Sequence, residues 1–204
     1  MAEIIKVFIE NPHPRIVKKA VECIKNGGII VYPTDTIYGL AADLYNKKAM
    51  EKIQKIKKAY NKPLSFILKD LKDISKYANV PDFAYKSMKR VTPGPYTFVL
   101  NATKEVPKLL LYKRKTVGIR IPDAPFALSL VEELGNPLLS TSVPHGDNGY
   151  HTDPLEIRDK YDHQIDLILD AGVMFNNPST IVDFTGDDVT ILREGAGNIE
   201  ALNY

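Results

Sequence analysis

Residues 27–40 read GGIIVYPTDTIYGL. Two glycines lead into the apolar run Ile29–Tyr32, which empties into Pro33-Thr34-Asp35-Thr36. A short continuous apolar run bounded by turn residues is the pattern of a strand covered on both faces. When such a strand opens onto two hydroxyls and a carboxylate, those groups stand at a strand end, where loops held by a rigid sheet carry binding and catalysis. The segment thus points to a helix-covered sheet with a site at its edge.

Working outward, strands and helices alternate. Residues 4–9 (IIKVFI) read as a strand, and 14–26 show apolar pairs at helical spacing that stop at Gly27-Gly28. Asn46 caps a second helix with Ala49, Met50, Ile53, Ile56 and Tyr60 on one face. Further helices are expected over 81–91 and 125–134. Strands are expected at 64–68, 96–100, 116–122, 138–142, 166–170, 179–184 and 189–194. The late strands follow one another without helices, so the expected fold is α/β of the α+β type, a twisted mixed β-sheet flanked by helices. Residues 1–204 show no internal repeat or linker and read as a single domain. The longest polar loop, 144–154, exceeds what a simple connection needs.

Composition narrows the class. Of the 204 residues, 44% are hydrophobic and 25% charged, which is ordinary for a folded soluble domain. No apolar run approaches the ~20 residues that span a bilayer. The N-terminal residues lack the basic and small-residue marks of a signal peptide, so a cytoplasmic location is expected. The single cysteine, Cys23, excludes an internal disulfide and reads as a buried helical thiol. Net charge is +2, yet residues 1–120 hold 24 Lys or Arg against 10 Asp or Glu, and residues 121–204 hold 3 against 15. A front half at +14 and a back half at −12 suggest either an anionic partner or two halves that neutralise each other.

The histidines at 13, 145, 151 and 163 have no paired spacing, and no cysteine pair accompanies them. His145 and His151 share a loop with Asp147 and Asp153; a solvated loop is the preferred reading there, and no protein-bound metal is expected. Nucleophile elbows and glycine-rich phosphate loops are absent. The segment NKKAMEKIQKIKKAYNK (46–62) instead carries seven lysines against Glu51. Alone it reads as a solvated helix face, but its end adjoins a helix-to-strand loop, where lysines can converge on a polyphosphate. A second basic cluster spans Lys113, Arg114 and Lys115. Hydroxyls recur at strand ends, at Thr34, Thr36, Thr97, Thr116, residues 140–142 and Ser179-Thr180, as the lining of one polar cleft would require.

Taken in order, GGIIVYPTDTIYGL, a basic helix with KPL, TPGPYTFVL, VGIRIP, PLLSTS, PSTIVDF and ILREGAG resemble the YrdC/YciO family over roughly residues 10–198. The family includes the threonylcarbamoyl-AMP synthases. The STS in place of PSAN is most similar to the YciO branch. The resemblance implies a YrdC-like fold with a large basic concave cleft. It also implies that ATP with Mg²⁺, L-threonine and bicarbonate give threonylcarbamoyl-AMP and pyrophosphate, for threonylcarbamoyl modification of tRNA. By position it implies threonine contacts at Thr36, Arg120, Ser140 and Ser179, and nucleotide contacts at Lys57, Lys58, Thr116, Ser142 and Arg193. No catalytic residue is assigned.

Three positions depart from the synthase pattern. IKKAYNKPL is one residue shorter than the K-x-R stretch and has no arginine: counted from the Pro-Thr-Asp-Thr side Lys57 falls at the family lysine and Ala59 at the arginine, and counted back from Pro63 Lys58 falls at the arginine. Pro144 replaces the SAN asparagine, and Ile67 replaces a strand histidine. These changes leave open a binding module of the YciO branch that holds double-stranded RNA or tRNA without catalysis. They also leave open a related enzyme with another small substrate.

Overall fold

The computed structural model describes residues 1–57, 64–111, 115–145 and 149–202. The chain begins with strand β1 (Glu3–Lys6) and helix α1 (Pro14–Lys25), which carries proline in its first turn, where its missing N–H costs nothing. The helix ends in a Schellman motif: the N–H groups of Gly27 and Gly28 donate to the carbonyls of Ile24 and Cys23, each at 2.9 Å. Gly27 sits at φ 79°, a left-handed conformation that glycine adopts without steric cost. The paired glycines of the opening stretch are therefore a helix stop that feeds β2 (Ile30–Tyr32).

Next come β3 (Gly39–Asp43), α2 (Lys47–Lys57), β4 (Ser65–Ile67), α3 (Ile74–Tyr77), β5 (Ala78–Asn79) and α4 (Asp82–Val91). Strand β6 (Tyr96–Ala102), α5 (Lys108–Leu111), β7 (Thr116–Arg120), α6 (Pro125–Leu134) and β8 (Leu138–Ser142) follow. A short hairpin of β9 (Pro144–His145) and β10 (Gly149–Tyr150) leads to α7 (Pro154–Tyr161). Strands β11 (Leu167–Asp170), β12 (Thr180–Asp183) and β13 (Thr190–Arg193) precede a closing 3₁₀ turn at Ile199–Leu202.

The large sheet runs β1-β11-β2-β3-β8-β4-β7-β6-β12-β13, with β5 against β6. Pairs β1/β11, β11/β2, β4/β7 and β6/β12 are parallel and the rest antiparallel. The expected mixed sheet flanked by helices is what forms. Several elements escape the sequence reading, among them α3, β5, α5 and three that bear on the site. Strand β3 is built of Gly, Leu, Ala and Asp and lacks the β-branched residues that mark strands. The stretch 144–154 is not one loop but holds the β9–β10 hairpin. Helix α7 buries only Pro154, Ile157 and Tyr161, too short a stripe to show a period, and it interrupts the late strands.

Burial follows the two-residue period of the strands. On one face Val31, Leu40, Phe66, Phe98, Ile119, Leu139 and Val182 pack with α2, α4 and α7. On the other, Ile30, Tyr32, Ala41, Leu138, Leu167 and Leu169 pack with α1 and α6. Those two helices cover only part of their face. Across β8, β4, β7, β6 and β12 the residues that alternate with the core include the short polar Ser140, Ser142, Ser65 and Thr97, and there the sheet is left open as a floor.

Candidate functional site

That floor is one row of the sheet. Ile67 pairs with Arg120, Thr97 with Ile181, and Ile181 with Arg193. One step beyond the Phe98–Ile119 pair, Thr97 comes opposite Arg120. The row Ile67, Arg120, Thr97, Ile181, Arg193 thus crosses β4, β7, β6, β12 and β13, and all five residues line a cavity of about 790 Å³. Three strand spacings put the two arginine backbones ~14 Å apart. The cavity has the size of a small-molecule site.

Arg120 is held by the opening stretch. Its Nη2 donates to Thr36 Oγ1 at 2.8 Å and Thr34 Oγ1 at 3.4 Å, and it pairs with Asp35 Oδ1. Both side chains of the ion pair are 10% exposed. Asp35 is anchored in turn, since its Oδ2 accepts the Asp123 N–H at 3.0 Å. Thr34 Oγ1 accepts the Thr36 N–H at 3.1 Å and donates to Ile37 O at 2.7 Å, which closes the turn on itself. Of the Pro-Thr-Asp-Thr segment only Thr34 lines the cavity. Thr36 and Asp35 stand behind Arg120 and aim it, a placement different from the direct exposure of all three side chains that a strand-end site suggests. Arg120 Nε has no hydrogen-bond partner among the described residues.

Arg193 anchors the other end. Its Nε and Nη2 donate to Ser179 O at 3.1 and 2.7 Å, and its Nη1 donates to Tyr150 Oη at 2.9 Å. Ser179 Oγ is 2.8 Å from Thr97 Oγ1. On the side of Arg120 away from Arg193, beyond β4, Ser140 Oγ on β8 lies 2.7 Å from Tyr32 Oη on β2. Burial pushes the Tyr32 phenol up to about 12, although the Ser140 hydrogen bond opposes this, so the group stays neutral. Thr34, Thr36, Thr97, Arg120, Ser140 and Ser179 are six of the nine buried polar or charged residues described. Buried polar groups are costly unless partnered, and gathering most of them at one place marks it as a built site.

The rim is basic. Lys55 and Lys57 reach it from the end of α2 and Lys160 from α7, so the described lining holds five cations and no Asp or Glu. A cleft of one sign focuses anions. Ser142 lines it, as do Ser140, Ser179, Lys57, Arg120 and Arg193. Thr116 starts β7 on the same face as Gly118 and Arg120 but is not part of the lining, and Lys58 lies outside the described residues. Ile67 and Pro144 both face the cavity, so the apolar replacements sit within the site. Sequence reasoning missed Tyr150, within the stretch it read as loop, and Lys160, Tyr161 and Gln164, to which it gave no element; the Asp153-Pro154 pair, a helix cap and first turn, was the available signal for α7. Cys23 is half-buried on α1 and plays no part here; burial, with Asp166 second, pushes its thiol up to about 11.

The geometry defines an α/β protein with a basic, hydroxyl-floored cleft on the open face of a mixed sheet, a lining complementary to anions. A family model for the Sua5, YciO and YrdC proteins, described as "Telomere recombination", matches residues 22–195, and the chain belongs to that family. It is 41% identical to YciO of Escherichia coli (strain K12) over 205 residues, covering 98% of each chain. The crystal structure of E. coli YciO superimposes with a TM-score of 0.94 at 40% identity, covering 99% of this chain and 100% of that one. A threonylcarbamoyl-AMP synthase of Vibrio vulnificus (strain YJ016) is 30% identical over 183 residues, 87% of this chain and 97% of its own. The crystal structure of P. abyssi Sua5 complexed with L-threonine has a TM-score of 0.88 at 26% identity, covering 98% of this chain and 59% of that one. No described helix is long and apolar enough to cross a membrane.

Proposed function

We propose that the protein joins L-threonine, bicarbonate and ATP into threonylcarbamoyl-AMP and pyrophosphate, in the cytoplasm, for threonylcarbamoyl modification of a tRNA adenosine. The observation that carries this reading is the pair of anchored arginines, three strands apart in one sheet row, in a cleft with five cations and no described carboxylate. The synthase relative and the threonine-bound Sua5 support the choice of substrates.

The chemistry asks for binding and charge compensation more than for a protein nucleophile. Threonine's amine takes up bicarbonate to form a carbamate with loss of water. A carbamate oxygen then attacks the α-phosphorus of ATP, and pyrophosphate leaves with the bonding electron pair. Arg120, aimed by Thr34, Thr36 and Asp35, takes the threonine carboxylate, with Ser140 and Ser179 beside it. Arg193, Lys57 and Lys58 take the phosphates, and Thr116 and Ser142 the nucleotide. Two anions must meet, and fixed cations offset their repulsion in advance. Mg²⁺ enters with ATP and offsets further phosphate charge; the described lining offers no carboxylate of its own to hold it. Pyrophosphate release that needs ATP, threonine and bicarbonate together tests the proposal, and no release at saturating ATP overturns it.

A second reading rests on the exposed Lys47, Lys48, Lys52 and Lys55 of α2. This face would hold double-stranded RNA or tRNA by phosphate contacts. RNA affinity that falls steeply with added salt supports it, and a flat response removes it.

A further inference from the structure

Outside the cleft, the fold gathers His145, His151 and Glu156. Their ligating atoms all lie within 4.8 Å of one another. The two imidazole rings come from opposite ends of the β9–β10 hairpin and stand 4.4 Å apart, edge to face. His151 Nδ1 is 3.6 Å from Glu156 Oε2 on the first turn of α7. His151 is 4% exposed, yet neither of its ring nitrogens has a hydrogen-bond partner among the described residues. A buried polar side chain with nothing to bind is rare in a native fold.

We propose that His145, His151 and Glu156 bind a divalent transition-metal ion of the Zn²⁺ class. Two imidazoles and a carboxylate are a donor set for such an ion and not for Mg²⁺, which demands oxygen ligands. Bonds of ~2.0–2.1 Å in a tetrahedron put neighbouring donors about 3.3 Å apart. The His151–Glu156 edge is already near that length. His145 is exposed and the Glu156 side chain is 63% exposed, so both can close the remaining distance without disturbing the core. Asp153 is not a ligand, because its carboxylate caps α7 by accepting the Leu155 N–H at 2.8 Å.

The ion clamps a hairpin to a helix. Pro144, Gly149 and Tyr150 of the hairpin and Lys160 and Tyr161 of α7 form one wall of the cleft. Tyr161 already bridges the two, donating to Pro144 O at 2.7 Å. Through Tyr150, the same wall holds Arg193. The metal is structural here: it fixes the wall that positions the arginine, and it is separate from the Mg²⁺ that accompanies ATP.

The test uses the full chain, stripped with a chelator and dialysed. Titration calorimetry with ZnCl₂, together with elemental analysis after desalting, is expected to give one Zn²⁺ per chain, with MgCl₂ giving none. His145→Ala and Glu156→Gln alter exposed side chains and leave the fold intact by circular dichroism; each is expected to weaken Zn²⁺ at least about tenfold. Co²⁺ should give the visible absorption of a tetrahedral site, lost in His145→Ala. No saturable Zn²⁺ binding, or binding that both variants leave unchanged, overturns the proposal.

Discussion

Arg120 shows how a charge can be kept in a nearly closed place. Its guanidinium is met by a carboxylate and two hydroxyls from a single turn, so desolvation is compensated before any ligand arrives. Removing one member of such a pair strands the other. Asp35→Ala is expected to cost about 3 kcal/mol in urea unfolding, near the low end for a broken buried pair because Thr34 and Thr36 remain. A cost within ~0.5 kcal/mol of zero would show that the pair is solvated. Arg120→Lys keeps the charge but loses the fork, and should weaken threonine-dependent pyrophosphate release by tenfold or more. Cys23 offers a pH-based test of burial. A pKa raised from 9.0 to about 11 leaves ~100-fold less thiolate at pH 8. Its reaction with a disulfide reagent should therefore be about 100-fold slower in the folded protein than in urea, with the rate rising as the pH approaches 11.

At the scale of elements, the close approach of β2, β3 and β8 decides one edge of the floor. A Cβ on Gly39 would lie 2.6 Å from a Tyr32 ring carbon and 3.2 Å from Ser140 Oγ. Gly39→Ala is expected to lower the melting temperature by roughly 5 °C, from an overpacking cost of about 2 kcal/mol, and to separate Tyr32 from Ser140. On the far wall, Tyr150→Phe removes the phenol that accepts from Arg193 while keeping the ring. It should weaken ATP binding by about fivefold, for one lost hydrogen bond, and leave the melting temperature nearly unchanged. The long, strongly patterned elements were legible: α1 and α6 start and stop at their proline and glycine signals, and β8 spans the residues expected. Strand β3 and helix α7 were not, because neither carries a pattern of its own. Ala41 and Ala42 become strand residues through pairing with Ser140 and Leu139, contacts about 100 residues away in sequence.

For the molecule as a whole, ligand binding should track the charge arrangement. ATP affinity is expected to drop severalfold between ~50 and ~200 mM salt, as for a polyanion held by several lysines and arginines; an affinity independent of salt would argue that the cleft does not bind phosphates. The +14 balance of residues 1–120 matters only through where the fold puts it, with Lys55, Lys57 and Arg120 around one cavity and Lys160 and Arg193 joining from the acidic half. What the amino-acid order determined by itself was local: helix caps and stops, strands covered on both faces, hydroxyls at strand ends, and the family those motifs belong to. Such features depend on neighbours a few residues apart, which hydrophobic period and turn chemistry report directly. Tertiary structure alone decided that Arg120 and Arg193 share a row, that Thr36 and Asp35 stand behind an arginine, and that His145, His151 and Glu156 meet beside the cleft. These are relations across strand register and between a hairpin and a helix, set by pairing and packing of segments far apart in the chain, on which local sequence is silent.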